Sequence, residues 1–283
     1  MIRLCAFADE ADVSIKGQIT ALKRNGISLI EVRGINGTNV ADLTDEQAVA
    51  YAKEYADNGI KVWSVGSPLG KTDVSADYDA FMAKCKRVFE IANIFQAKNV
   101  RVFSFYNAYE SEEEVFRRLT AATDLAKEYG LTLCHENEKE IYGDVLFRVK
   151  RVLEHVPNLK SVFDPANFVE VGEDVETALN ELAPYTYYYH VKDTVRETEE
   201  KVPAGMGDGA IPSLIRQAAE RDAVLTVEPH LAIFEGYAQI DNTEMKGKFT
   251  FKDNHEAFDT AVTALKNEIL KAGLKPVEGG FEQ

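Results

Sequence analysis

Cysteine is scarce in this chain. Cys5, Cys85 and Cys134 are odd in number, far apart and never arranged as CxxC, which excludes a disulfide framework and a thiolate zinc site. They read as small buried hydrophobes. Long apolar runs are missing too: none approaches the roughly 20 residues that span a bilayer, so no membrane association is expected. Met1-Ile2-Arg3-Leu4-Cys5 enters a strand-like run at once, without the apolar segment and cleavage site of a secretory leader, and the expected location is cytoplasmic. Positive charge is in deficit, with 32 Lys and Arg against 47 Asp and Glu, a net charge of −15. Such a surface repels phosphate backbones, so nucleic acid is not an expected partner.

What is present is ordinary soluble-protein composition, 45% hydrophobic and 28% charged, in a regular order. Short apolar runs rich in β-branched residues lie at 4–8, 29–33, 61–65, 99–105, 132–136, 160–164, 187–193 and 223–228. Helical patterns follow them, at 14–25, from the cap Thr44, at 77–95, from the cap Ser111 to Tyr129-Gly130, and at 144–155, 175–182, 211–221 and 255–272. Eight strand–helix units spaced by roughly 25 to 45 residues, with no linker, predict one (β/α)8 TIM barrel. That single domain covers 1–283, with 275–283 as a loose tail. No Gly-rich phosphate fingerprint follows the first strand, which counts against a Rossmann domain.

In such barrels the loops after the strands carry the chemistry. Four consecutive strands end in metal-ligand residues: Glu136, Asp164, His190 and Glu228. Each alone reads equally well as a helix cap or a solvated loop charge. Together, three carboxylates and one imidazole suit one divalent metal ion, Mn2+ first, with Mg2+, Co2+ or Zn2+ as alternatives.

Cys134-His135-Glu136-Asn137, Asp164-Pro165-Ala166-Asn167, His190-Val191-Lys192-Asp193 and Val227-Glu228-Pro229-His230 resemble the xylose isomerase-like barrel superfamily, in its sugar phosphate isomerase/epimerase branch. The resemblance covers nearly the whole chain. It implies that Glu136, Asp164, His190 and Glu228 bind the metal. It further implies that Glu136 and Glu228 act as base and acid on opposite faces of a ketose, through an enediolate. Asn167 stands where ketose epimerases commonly carry histidine, and Glu138 where the family often has one. Arg196 keeps the family's arginine offset.

The expected substrate contacts are Asn167, Lys192, Arg196, His230 and Glu31, on a small sugar or polyol. Lys192 could instead pair with a nearby carboxylate, and Asp193 is read as orienting Lys192 or a loop. Phe7, Tyr106 and Phe168 could form an apolar wall, whereas Trp63 reads as core. No run of basic residues marks a phosphate pocket, which favours an unphosphorylated substrate. The long segment 231–254, with Phe234, Tyr237, Met245, Phe249 and Phe251, is expected as a lid or as a homo-oligomer contact. The expected activity is isomerase or epimerase; a dehydratase is the alternative, since the same enediolate can expel a β-hydroxyl. DNA repair of the endonuclease IV kind would need more histidines than the five present. A metal-binding sugar sensor is the non-enzyme alternative, and the two acid–base glutamates argue against it.

Overall fold

A computed structural model describes residues 1–233 and 249–283. Eight parallel strands close into a barrel: β1 (Arg3–Ala6), β2 (Leu29–Val32), β3 (Lys61–Val65), β4 (Asn99–Val102), β5 (Thr132–Glu136), β6 (Lys160–Phe163), β7 (Thr186–Val191) and β8 (Val224–Val227). Each pairs with its sequence neighbours, and β1 closes the ring against β8 in the register Arg3 with Val224 to Ala6 with Val227. The alternating pattern therefore specifies the (β/α)8 barrel that the sequence predicts.

The helices are α1 (Ile15–Arg24), α2 (Asp45–Asp57), α3 (Tyr78–Ile94), α4 (Glu112–Glu128), α5 (Leu146–His155), α6 (Pro165–Glu170), α7 (Val175–Leu182), α8 (Ile211–Ala219) and α9 (Asn254–Lys271). Thr44 and Gln47 form a reciprocal capping box that starts α2. Ser111 does not cap α4 as expected, for its side chain makes no capping bond. Instead Glu112, at the positive end of that helix, takes two bonds from Arg151, at 2.7 and 2.8 Å. Helix α6 was not read from the sequence. It starts directly on Asp164, whose carboxylate accepts the Asn167 backbone N–H at 3.2 Å, with Pro165 in the first turn.

The main core lies between barrel and helices. A second, smaller cluster fills the barrel floor: Cys5, Cys134, Val162, Tyr188 and Val224. All three cysteines are free and buried. The loop after β3 passes so close to the strand-four side that a Cβ at Gly70 (φ +83°) would lie 2.0 Å from the Phe103 carbonyl oxygen, so only glycine fits there.

Residues 275–283 differ from the loose tail expected of them. Lys275–Val277 and Gly280–Glu282 pair as an antiparallel ribbon, and Phe281 exchanges two 2.8 Å backbone bonds with Ile2. The buried Phe281 ring supplies the apolar contact that holds the ribbon. Among the described residues no helix is long and apolar enough to cross a membrane. Phe234, Tyr237 and Met245 of the expected lid lie outside the described residues. Phe249 and Phe251 lie within them, with their rings stacked at 6.2 Å.

Candidate metal centre and acid–base site

The ends of β5, β6, β7 and β8 bring Glu136, Asp164, His190 and Glu228 together, all buried, each offering a ligand atom within 4.8 Å of the others. His190 is the hub. Its Nδ1 lies 3.0 Å from Glu136 Oε1 and 3.0 Å from Glu228 Oε2. The donor set fits a hard or borderline divalent cation. Glu136 Oε2, Asp164 Oδ2 and Glu228 Oε2 are buried with cations nearby, yet accept no hydrogen bond. Buried carboxylate oxygens left so are costly unless a positive group completes them. The cluster can therefore hold a metal ion.

Electrostatics agree with that demand. Burial works against charge at His190, but Glu136, Glu31 and Glu228 outweigh it and raise its pKa well above the ordinary value. Burial likewise favours neutral Glu136 and Glu228. His190 opposes it at both, aided by Arg101 at Glu136 and by Lys192 at Glu228, and both carboxyls fall below their usual range. At Asp164 burial wins over Lys192, and its pKa rises to about 7.

Two arginines that the sequence reading did not place in the site grip the two glutamates. Arg33 Nη1 donates to Glu228 Oε1 at 2.9 Å, while its other nitrogens bind Asp9 at 2.9 and 3.1 Å and Glu10 at 3.2 Å. Arg101 Nη1 lies 3.1 Å from Glu136 Oε2. The Phe7 ring sits under Arg33 at 4.4 Å and meets His190 edge-on at 5.1 Å. The available signal was an arginine inside an apolar run, Val100-Arg101-Val102, where burial is tolerated only with a partner.

The remaining predicted residues divide. Glu31 lies beneath His190. Its Oε2 is 3.2 Å from His190 Nε2, and its carboxylate also accepts from Tyr188 at 2.8 Å, Ser64 at 3.2 Å and Thr226 at 3.2 Å. It orients the imidazole, as outer carboxylates commonly do at metal sites. Asn167 is used twice, accepting from Lys192 at 2.8 Å and donating to the Asn137 carbonyl at 2.8 Å. Lys192 also pairs with Asp164 at 3.1 Å, so the lysine–carboxylate bridge is present. His230, at φ +46°, points its Nε2 between Glu228 Oε1 and Glu10 Oε1, 3.5 Å from each.

Arg196 is not brought into the cluster. Its guanidinium donates to the carbonyls of Glu173 at 2.6 Å and Val169 at 3.4 Å, around the end of α6. Asp193 serves the loop: its carboxylate accepts backbone N–H groups from Thr194, Gly205, Gly207 and Gly209 at 2.8–3.0 Å. Phe168 packs on Phe163 at 5.2 Å, fully buried, and belongs to the core rather than to a substrate wall. Trp63 stacks on Tyr187 at 6.2 Å, with Arg3 5.4 Å from its ring.

Comparison with known proteins follows the same lines. Residues 19–245 match the family described as xylose isomerase-like TIM barrel. A 3-dehydroshikimate dehydratase from Bacillus anthracis is 23% identical over 176 residues, 60% of this chain and 62% of that protein, so the match spans under two thirds of its length. Among solved structures, an L-ribulose 3-epimerase superposes with a TM-score of 0.75 at 17% identity, covering 96% of each chain. The IolI protein, solved with a bound zinc atom, superposes at 0.72 and 16% identity over 95% of this chain and 99% of that one. At these identities the structural likeness speaks for the fold alone. The family match covers most of the chain, and with the barrel and its strand-end cluster it makes this protein a member of the xylose isomerase-like TIM barrel family.

Proposed function

We propose that this protein is a divalent-metal-dependent isomerase or epimerase of a keto-sugar or related polyol, working by proton transfer beside a carbonyl. The observation that carries this reading is the pair Glu136 and Glu228, facing one imidazole at 3.0 Å each and held on their far sides by separate arginines. Glu136, Asp164, His190 and Glu228 would hold the metal, with Mn2+ as the first candidate. When bound, a divalent metal polarises the substrate carbonyl and lowers the energy of the adjacent carbanion.

The chain's own groups do the rest. His190 keeps Glu136 and Glu228 ionised, with Arg101 at the first and Lys192 at the second, and Arg101 and Arg33 fix their carboxylate planes. One glutamate removes the proton next to the carbonyl and the other returns it. Lys192, beside Asp164, supplies a positive charge for the oxygen that becomes negative. Glu31 fixes His190 by holding Nε2.

A dehydratase is the second reading, supported by the curated relative, itself named for a dehydration. The first step is shared, and the two part only when a β-hydroxyl leaves. Incubating the Mn2+-loaded protein with ketoses, inososes and 3-keto-sugars in D2O separates them. Deuterium uptake without loss of water is the expected result, and loss of water assigns the second reading. Full activity in Glu228→Gln would refute the two-glutamate mechanism.

A further inference from the structure

The end of the barrel away from the metal centre carries a cavity of about 970 Å3, within the usual size of a small-molecule site. Its walls come from the starts of strands and the ends of the helices that precede them. Val49, Ala52, Lys53 and Ala56 follow the spacing i, i+3, i+4, i+7, so one stripe of α2 forms a side. Leu29 opens β2, Lys61 opens β3, Ile94 ends α3 and Phe95 caps it. Trp63 completes the apolar lining, and Leu29 and Trp63 pack on the floor cluster of Cys5, Cys134, Val162, Tyr188 and Val224. Glu136, Asp164, His190 and Glu228 stand toward the opposite ends of their strands, so this cavity shares no residue with the metal centre.

The charge of the lining is the reverse of the chain's. The protein carries a net charge of −15, yet Arg3, Lys53, Lys61 and Lys98 line the cavity and, among the described residues, no carboxylate does. Lys53 is met by Asp57 on the next turn of α2. Arg3 lies 5.4 Å from the Trp63 ring and near Asp222, which the chain's amino group already holds at 2.9 Å. Lys61 and Lys98 make no ion pair with a described residue. They belong to neighbouring positions in the barrel, one opening β3 and the other preceding β4. Both are exposed and solvated, so they cost nothing while the cavity is empty and offer charge once an anion enters. The negative ends of α2 and α3 also lie here, but each amounts to about half a charge.

We propose that this cavity binds a small organic acid with an apolar body. The body lies against the α2 stripe, Phe95 and Trp63, where removal of apolar surface from water drives binding. The carboxylate lies toward Lys61 and Lys98, which set the sign of the ligand. A concave site of this size takes a small molecule rather than a flat partner surface. The site stands apart from the proton-transfer reading, because no residue of the metal centre takes part.

Trp63 is the single tryptophan of the chain, so its emission reports on this cavity directly. The test titrates decanoate into the full chain, with 1-decanol as the neutral counterpart and acetate as the acid without an apolar body. Decanoate should shift the emission saturably and bind at least about fivefold tighter than decanol, the effect of exposed ion pairs, while acetate leaves it unchanged. Combining Lys61→Gln with Lys98→Gln should bring decanoate down to the affinity of decanol, and two exposed positions spare the fold. Val49→Asp, at a side chain 57% exposed on the α2 stripe, should weaken decanoate by about fivefold or more through repulsion. The absence of a saturable shift, equal affinity for decanol, a preference that survives the double substitution, or an equal response to acetate each overturns the inference. A dimer that the double substitution dissociates and decanoate does not, seen by analytical ultracentrifugation, overturns it too, by making a second copy of the chain the occupant.

Discussion

Replacing Glu31 by glutamine separates two accounts of that residue. As a substrate contact, its loss would weaken substrate binding and leave the metal alone. The structure puts it beneath His190, with Oε2 3.2 Å from Nε2 and three hydroxyls, from Tyr188, Ser64 and Thr226, converging on the same carboxylate. A glutamine oxygen can still accept from Tyr188, and the hydroxyls can turn to accept from the amide, so the barrel should fold. What disappears is the negative charge that draws the Nε2 proton and sharpens the lone pair at Nδ1, which faces Glu136 and Glu228. Outer-shell changes of this kind cost about 10- to 100-fold in metal affinity, or about 1.4 to 2.7 kcal/mol. Titrating free Mn2+ by electron paramagnetic resonance against wild type and Glu31→Gln should show that loss, with little change in melting temperature. Unchanged Mn2+ affinity together with a raised KM would refute this reasoning and restore the substrate contact.

Two further outcomes follow from the charge and packing of the fold. Glu170 has a folded pKa of about 2 against an ordinary 4.5, so its contribution is present above pH 4.5 and is lost as pH falls toward 2. That contribution is about 3 kcal/mol by proton linkage. The gap in unfolding free energy between wild type and Glu170→Gln should narrow as pH drops from about 5 toward 3, and a constant gap would contradict the assignment. Phe281→Ala should cost about 3 kcal/mol in denaturant unfolding by emptying the contact that seats the C-terminal ribbon on Ile2. Stability within about 0.5 kcal/mol of wild type would mean that the ribbon adds nothing.

The barrel was legible because its strands are short buried runs closed by turn signals, a pattern that depends only on neighbours in sequence. The strand-end cluster was legible for the same reason, since each residue stops an apolar run. What could not be read is what the chain brings together from afar. Arg33 meets Glu228 across 195 positions, and Lys71 meets Glu138 across 67. Glu31 was assigned to the right strand end, but the depth at which it points under His190 is a property of the closed barrel. Arg196 matched a family offset, whereas its guanidinium is spent on the carbonyls that end α6. Helix α6 escaped notice because six residues carry too little periodicity to register, and its cap is itself a site residue.

The two arginine grips have a stereochemical meaning. A carboxylate that can spin about its last carbon–carbon bond offers either oxygen to a reacting hydrogen, and with it two approach directions. On the proposed reading, Arg33, bonded to Glu228 Oε1, and Arg101, 3.1 Å from Glu136 Oε2, restrain both rotors, so that each glutamate would present the same oxygen on every turnover. Which face of a prochiral carbon would lose hydrogen in the proposed reaction, and which would regain it, would then be written by guanidinium groups supplied from β4 and from the end of β2, on the side of the ring that carries none of the proposed ligands.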